Sequence, residues 1–496
     1  MEINKSNKSS CGRTRLSFTL DSKERTTMQR FFGPVAITLI AASVLVAQTP
    51  PTPDAAETNK AVQEIIRAIS PDSIRIYDNT LASFGTRHTM SDTNSATRGI
   101  GAARRWISAK FSSFAKSDPY FKVYEDRFTL EGVPRISKPT ELVNVYGVLR
   151  GKEGPEGRYI VISGHYDSRC TDIMNYTSDA PGADDDGSGS SLVLEAARAF
   201  TSTRFRPDAN IIFICFAGEE QGLYGSEHFA MEARKKSLNI IADLNNDIVG
   251  SIRGGNGEVI SNMVRVFSQG YQEMKLGSRD INPDVIGYVS DSPSRELARY
   301  IHAAGDEFLP NFRTSLIFRQ DRFLRGGDHA SFNKYGYAAV RFTEPNEDYR
   351  HQHQDVRVEN DKVDGRNVKV LYGDLPQFVD SSYVARVCRI NSLTAALLSI
   401  SPPAPANAVM LVDKLEYGTR FRWDNPLHGV GIAGWKIYYR KSAQPEWQGC
   451  VFVNGSENPT LEYDLATMSK DDYIFGIATV GKNGAESITV APPPGK

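Results

Sequence analysis

The chain has 496 residues, 40% of them apolar and 24% charged, with a formal net charge of −1 at pH 7. That length is too great for one ordinary domain, and the composition is that of a globular, water-soluble protein, not a disordered one. With charge near zero and no long run of one sign, neither nucleic acid nor an anionic membrane surface is favoured as a partner, since both need a concentrated basic footprint.

In chain order, the first element is an apolar run over 28–47 (MQRFFGPVAITLIAASVLVA). Arg30 precedes its apolar core of about fifteen residues and small residues end it, which is the layout of a secretory signal and too short for a stable membrane span. The mature protein is therefore expected to be secreted or periplasmic. Residues 1–27 are polar, and Met28 is an alternative start. The segment 48–58 reads as a Pro/Thr/Ala linker. Of the five cysteines, Cys11 would leave with the signal, and no Cys-x-x-Cys pair exists, so a thiolate zinc site is not expected. Cys215, in an apolar run, reads as a buried small hydrophobe.

Helical spacing appears over 59–69 and 101–114, the latter with Trp106, Ile107 and Phe111 on one face. Apolar strand-like runs follow at 142–149, 159–163, 210–217 and 238–244, with a helix over 190–200 between the second and third. Continuous apolar runs separated by amphipathic helices predict an α/β fold, a mixed and mostly parallel sheet covered by helices on both faces. This catalytic-looking domain spans 59–400, and a Pro/Ala linker occupies 401–408. From 409 to 496 the pattern changes to short alternating segments (420–423, 434–440, 448–453, 472–480), which predicts an all-β sandwich.

Three of the apolar runs end in acid or imidazole groups. The first leads into Gly164-His165-Tyr166-Asp167, the second into Gly218-Glu219-Glu220, and the third into Asn245-Asn246-Asp247. Sites in open α/β sheets form at the carboxyl ends of strands. Between the first two lies Asp184-Asp185-Asp186 in a Gly-rich loop, whose adjacent carboxylates repel unless a cation neutralises them or they face water. Glu219 and Glu220, read as the end of a strand, would point to opposite sides, so one can bind a metal while the other handles a proton. A further His pair, His351 and His353, comes late in HQHQD (351–355). Imidazole and carboxylate donors with no thiolate suit zinc in a hydrolytic site. Three carboxylates and one bridging hydroxide would neutralise two zinc ions, a balance that a buried site requires.

Together GHYDS (164–168), PGADDDGSG (181–189), FAGEEQGLYGS (216–226), NNDIVG (245–250) and HQHQD resemble, in order and approximate spacing, the M28 zinc aminopeptidases, the bacterial leucyl aminopeptidase type, over about 60–400. The resemblance implies two zinc ions. His165 and Asp247 would complete one, Glu220 and His351 the other, and Asp185, the middle acid, would bridge them. Glu219 would be the general base and Asp167 the partner orienting His165. His351 is preferred over His353 because the family pattern has an acid four residues after the ligand, here Asp355. Chemistry alone leaves Asp184, Asp185 and Asp186 equivalent. His329, in GGDHA, is a possible substrate contact or a helix-start residue; His228, His88 and His302 read as structural. The C-terminal segment resembles a fibronectin type III module, with Trp423 in its core and 473–487 as its last hairpin. Its aromatics, Trp447 among them, are compatible with binding a surface or another protein.

The expected activity is metal-assisted hydrolysis of a peptide or protein substrate at a free amino terminus. The same scaffold also hosts carboxypeptidases, mono-zinc glutaminyl cyclases and catalytically silent binding domains; the last usually lack ligands that are all present here.

Overall fold

The computed structural model describes residues 53–495 apart from 272–273, 277–278, 364 and 426. The expected leader, 28–47, lies outside the described residues. Helix Pro53–Ala68 starts inside the segment expected to be linker. On it Val62, Ile65 and Ile66 are buried. The next helix, Pro71–Ser83, begins where Ser70 accepts a hydrogen bond from the Ser73 amide.

Eight strands form the main sheet. In spatial order they are Phe121–Leu130, Thr140–Leu149, Asn210–Phe216, Arg158–His165, Asn239–Asn246, Ala339–Thr343, Met263–Ser268 and Arg313–Ile317. The four strands from Asn210–Phe216 to Ala339–Thr343 run parallel to their neighbours. Antiparallel pairings join them to the strands on either side. The sheet is thus mixed with a parallel centre, as the apolar runs predict. Alternate residues feed opposite faces: Ile160 and Ile162 enter a core with helices Gly99–Ala115, Gly189–Thr203 and Ser381–Ile400, while Tyr159 and Val161 pack with helix Tyr224–Lys235. Because the central strands are parallel, the ends carrying His165, Glu219–Glu220 and Asp247 meet at one edge.

Beyond Ile400, strand Ala406–Leu411 begins within the expected second linker. It joins Thr419–Asp424 and Thr460–Leu465 in one sheet, which faces a second sheet of Gly449–Asn454, Ile432–Lys441 and Tyr473–Gly481. Trp423 and Trp435, both fully buried with ring centroids 5.8 Å apart, fill the space between them. The sandwich is tied to the larger sheet's helices. Arg440 donates to both oxygens of Asp291 at 2.6 and 2.7 Å, and Arg299 Nε donates to the Pro445 carbonyl at 2.7 Å. Trp447 Nε1 donates to Glu296 at 3.2 Å. Trp447 is therefore a half-buried seam residue, not a free aromatic. Cys170, Cys215 and Cys388 are buried and Cys450 is exposed, all as free thiols. Among the described residues no helix is long and apolar enough to cross a membrane.

Candidate metal centre

His165 is the last residue of its strand and fully buried. Its Nδ1–H donates to the Asp167 carbonyl at 3.2 Å, which fixes the tautomer and leaves Nε2 without a partner. That nitrogen lies 3.3 Å from Asp185 Oδ1, 3.8 Å from Asp247 Oδ1 and 3.9 Å from Glu219 Oε2. Burial alone would push this imidazole down. The surrounding carboxylates, Glu219 foremost and then Asp167, Asp185 and Asp247, hold it well above its ordinary value.

The triplet 184–186 resolves into three separate tasks. Asp184 Oδ1 accepts from the Gly250 amide at 2.8 Å. Asp186 accepts from the amides of His165 at 3.0 Å and Gly189 at 2.9 Å. Only Asp185 reaches both imidazoles, Oδ1 toward His165 and Oδ2 2.8 Å from His353 Nε2. The loop is held by Asp374, whose two oxygens accept from the amides of Asp184 at 2.7 Å and Asp185 at 2.8 Å. Gly189 admits the close packing, since a Cβ there would meet the Asn246 carbonyl at 2.3 Å. Beneath the site the buried Arg87 donates to the carbonyls of Tyr166 at 2.7 Å and Gly182 at 2.8 Å, joining the two loops.

Glu219 and Glu220 open a single helical turn, Glu219–Gly222, after Gly218 in the left-handed region (φ 75°). They are not strand residues, so the turn, not a pleat, separates them. Glu220 Oε2 lies 3.1 Å from His353 Nε2 and its Oε1 has no partner, while Glu219 faces His165. Asp167 does more than orient His165. Its carboxylate, 3.6 Å from Nδ1, accepts from the amides of Glu219 and Glu220, both at 3.2 Å, and from Thr89 at 3.0 Å. It therefore sets the turn that carries both glutamates. Burial, with Asp247 and Glu220 nearby, pushes the Glu219 carboxyl well up despite His165.

The expectation for His351 is corrected. Its ring stacks on Phe378 at 3.5 Å and its Nδ1 lies 3.7 Å from Asp348. His353, in a left-handed conformation (φ 53°), turns its ring to Asp185 and Glu220 instead. Asp355, the acid that favoured His351, exchanges hydrogen bonds with Thr171. His329 is buried with Nε2 on the Gln320 carbonyl at 2.9 Å and does not line the cavity. His228 stacks on Phe128, and His88 and His302 bond the Ile173 carbonyl and Thr314. Those three are structural.

Sequence reasoning missed Arg341, buried and ion-paired with Asp247 Oδ1 and Asp321 Oδ2, both at 2.9 Å. A lone arginine inside the apolar run 337–342 was a usable signal. Asp374 carried none.

Two groups thus have ligand atoms within 4.8 Å of one another, His165–Asp185–Asp247 and Asp185–Glu220–His353, sharing Asp185. Orphaned buried atoms (His165 Nε2, Glu220 Oε1) and an all N/O donor set fit zinc. The model described as Peptidase family M28 matches residues 144–369. The chain is 40% identical over 438 residues, 88% of its length and 97% of the relative's, to a probable zinc metalloprotease of Leptosphaeria maculans. It is 41% identical over 444 residues, 88% and 84% of the two lengths, to a probable zinc metalloprotease of Pyricularia oryzae. The LapA aminopeptidase of Legionella pneumophila superposes with a TM-score of 0.47 at 22% identity, covering 69% of this chain and 75% of that one.

Proposed function

The chain belongs to peptidase family M28 and is a zinc metallopeptidase, and on that premise we propose that it is an exported exopeptidase removing residues from free amino termini. The observation that carries the reading is the arrangement of Glu219: it reaches the His165 side of the cluster while the two ligand groups are complete without it. His165 and Asp247 would hold one zinc, Glu220 and His353 the other, and Asp185 both. Zinc bound there supplies polarisation of the scissile carbonyl and acidifies water. Glu219, its carboxylate raised by burial, takes the proton of the attacking water and delivers it to the leaving amine. Asp167 keeps Glu219 and Glu220 in place through their amides. Export rests on the layout of residues 28–47.

The test is a zinc count per chain with turnover on free-amine and N-blocked peptides. Two zinc ions with loss of turnover on N-blocking support the reading. One zinc, or equal cleavage of blocked peptides, sinks it.

A further inference from the structure

The cavity over the metal centre, about 350 Å³, is lined by the site carboxylates and by five arginines. Two of these are already neutralised: Arg341 pairs with Asp247 and Asp321, and Arg322 with Asp321 and Glu347. The other three, Arg135, Arg169 and Arg325, pair with no carboxylate among the described residues. Arg169 donates only to the carbonyls of Cys170 at 3.2 Å and Thr171 at 3.0 Å. Arg325 meets Gln352 Oε1 at 3.2 Å and His353 Nδ1 at 3.1 Å. With zinc on His353 Nε2 the second contact would set donor against donor, because Nδ1 would then keep its hydrogen. Arg135 is exposed at the mouth.

A hydrolase that needed only an apolar side chain would not place three uncompensated guanidinium groups around its reaction centre. Zinc would balance the site carboxylates, and the three arginines would then leave the cavity with a positive field. We propose that Arg135, Arg169 and Arg325 form a carboxylate-recognition rim, so that the preferred substrates carry a carboxylate beside the scissile bond. This rests on the peptidase reading above and extends it to a substrate class. The carboxylate has two sources, an acidic side chain or the terminal carboxylate of a short peptide. Guanidinium forks fit both.

The experiment uses the full zinc-loaded chain and two matched pairs. Glu- against Gln-p-nitroanilide isolates the side-chain charge, and Leu-Gly against Leu-Gly amide isolates the terminal one. In at least one pair the charged member is expected to have a kcat/KM higher by about tenfold or more, the scale of a charge-assisted hydrogen bond. Arg135→Glu and Arg169→Glu should reduce that ratio toward one, and Arg169→Lys should keep most of it. Raising salt should shrink the ratio, because the rim is open to solvent. Calorimetric binding of Leu-Gly and its amide to the Glu219→Gln variant reads the same preference without turnover. Ratios near one in both pairs, or ratios unmoved by charge reversal, overturn the rim while leaving the peptidase reading intact. If no free-amine peptide is cleaved the peptidase reading fails, and calorimetry then decides the rim alone: equal binding of acid and amide overturns it.

Discussion

His353 Nε2 lies 2.8 Å from Asp185 Oδ2 and 3.1 Å from Glu220 Oε2, so one imidazole completes a group whose Asp185 also faces His165. His351, two residues earlier, is engaged with Phe378 and Asp348. The two histidines therefore respond differently to removal. His353→Ala is expected to halve the zinc content and abolish most turnover. His351→Ala should keep both metals and lose about 1 kcal/mol of stability with the ring stack. Elemental analysis of the two variants checks this, and retention of full zinc by His353→Ala would refute the assignment.

Glu219→Gln keeps the size of the side chain but removes the proposed proton acceptor. Zinc content should be unchanged, and kcat should fall by about 10²–10⁴-fold, the usual worth of a general base. Steady-state kinetics beside a zinc count read both.

Asp374 accepts the amides that present Asp184 and Asp185. Asp374→Ala leaves those two buried N–H groups unpaired, at about 1–3 kcal/mol each. It also loosens Asp185, so zinc affinity should drop by roughly 10–100-fold. Competition with a metal-responsive chelator measures the affinity. Unchanged affinity would show that the loop holds its shape without Asp374.

Burial alone would raise the Asp321 carboxyl, but Arg341, His329 and Arg322 outweigh it and hold the group below its ordinary value. As pH falls, the unfolded chain takes up this proton first, near pH 4. The stability Asp321 contributes is therefore fully present above that pH and is lost as acid approaches the folded value. The difference in Tm between wild type and Asp321→Asn should stay constant from about pH 8 to 5 and shrink below that. A difference that grows in acid would contradict the pairing.

At the seam, Arg440→Ala would leave Asp291 buried without its bidentate partner. Loss of one member of a buried ion pair costs about 3–5 kcal/mol. Urea denaturation gives the value, and a change under about 1 kcal/mol would mean that water or Arg299 replaces the contact.

Much of the site was legible because its signals are local. A strand that ends in Gly-His-x-Asp, or in Gly-Glu-Glu, exposes those groups at a sheet edge whatever the rest of the chain does, and parallel pairing brings such edges together. The apolar runs at 142–149, 159–163, 210–217 and 238–244 became strands within a few residues. The short strands Met263–Ser268, Ala339–Thr343, Ala406–Leu411 and Thr460–Leu465 were not anticipated; the last two bury their apolar residues against the facing sheet, a contact that no local pattern reports.

By itself the sequence determined the donor chemistry, the order of the motifs and the parallel core that gathers them, since these follow from side-chain type and short-range periodicity. The tertiary structure alone decided which histidine of HQHQD enters the site, and that Arg341 pairs with Asp247. It also singled out, among three chemically equal aspartates, the one aimed at both imidazoles. Neighbouring side chains on an irregular loop point where the backbone dihedrals send them. Those dihedrals are held by groups remote in the chain, such as the Asp374 carboxylate under the aspartate loop.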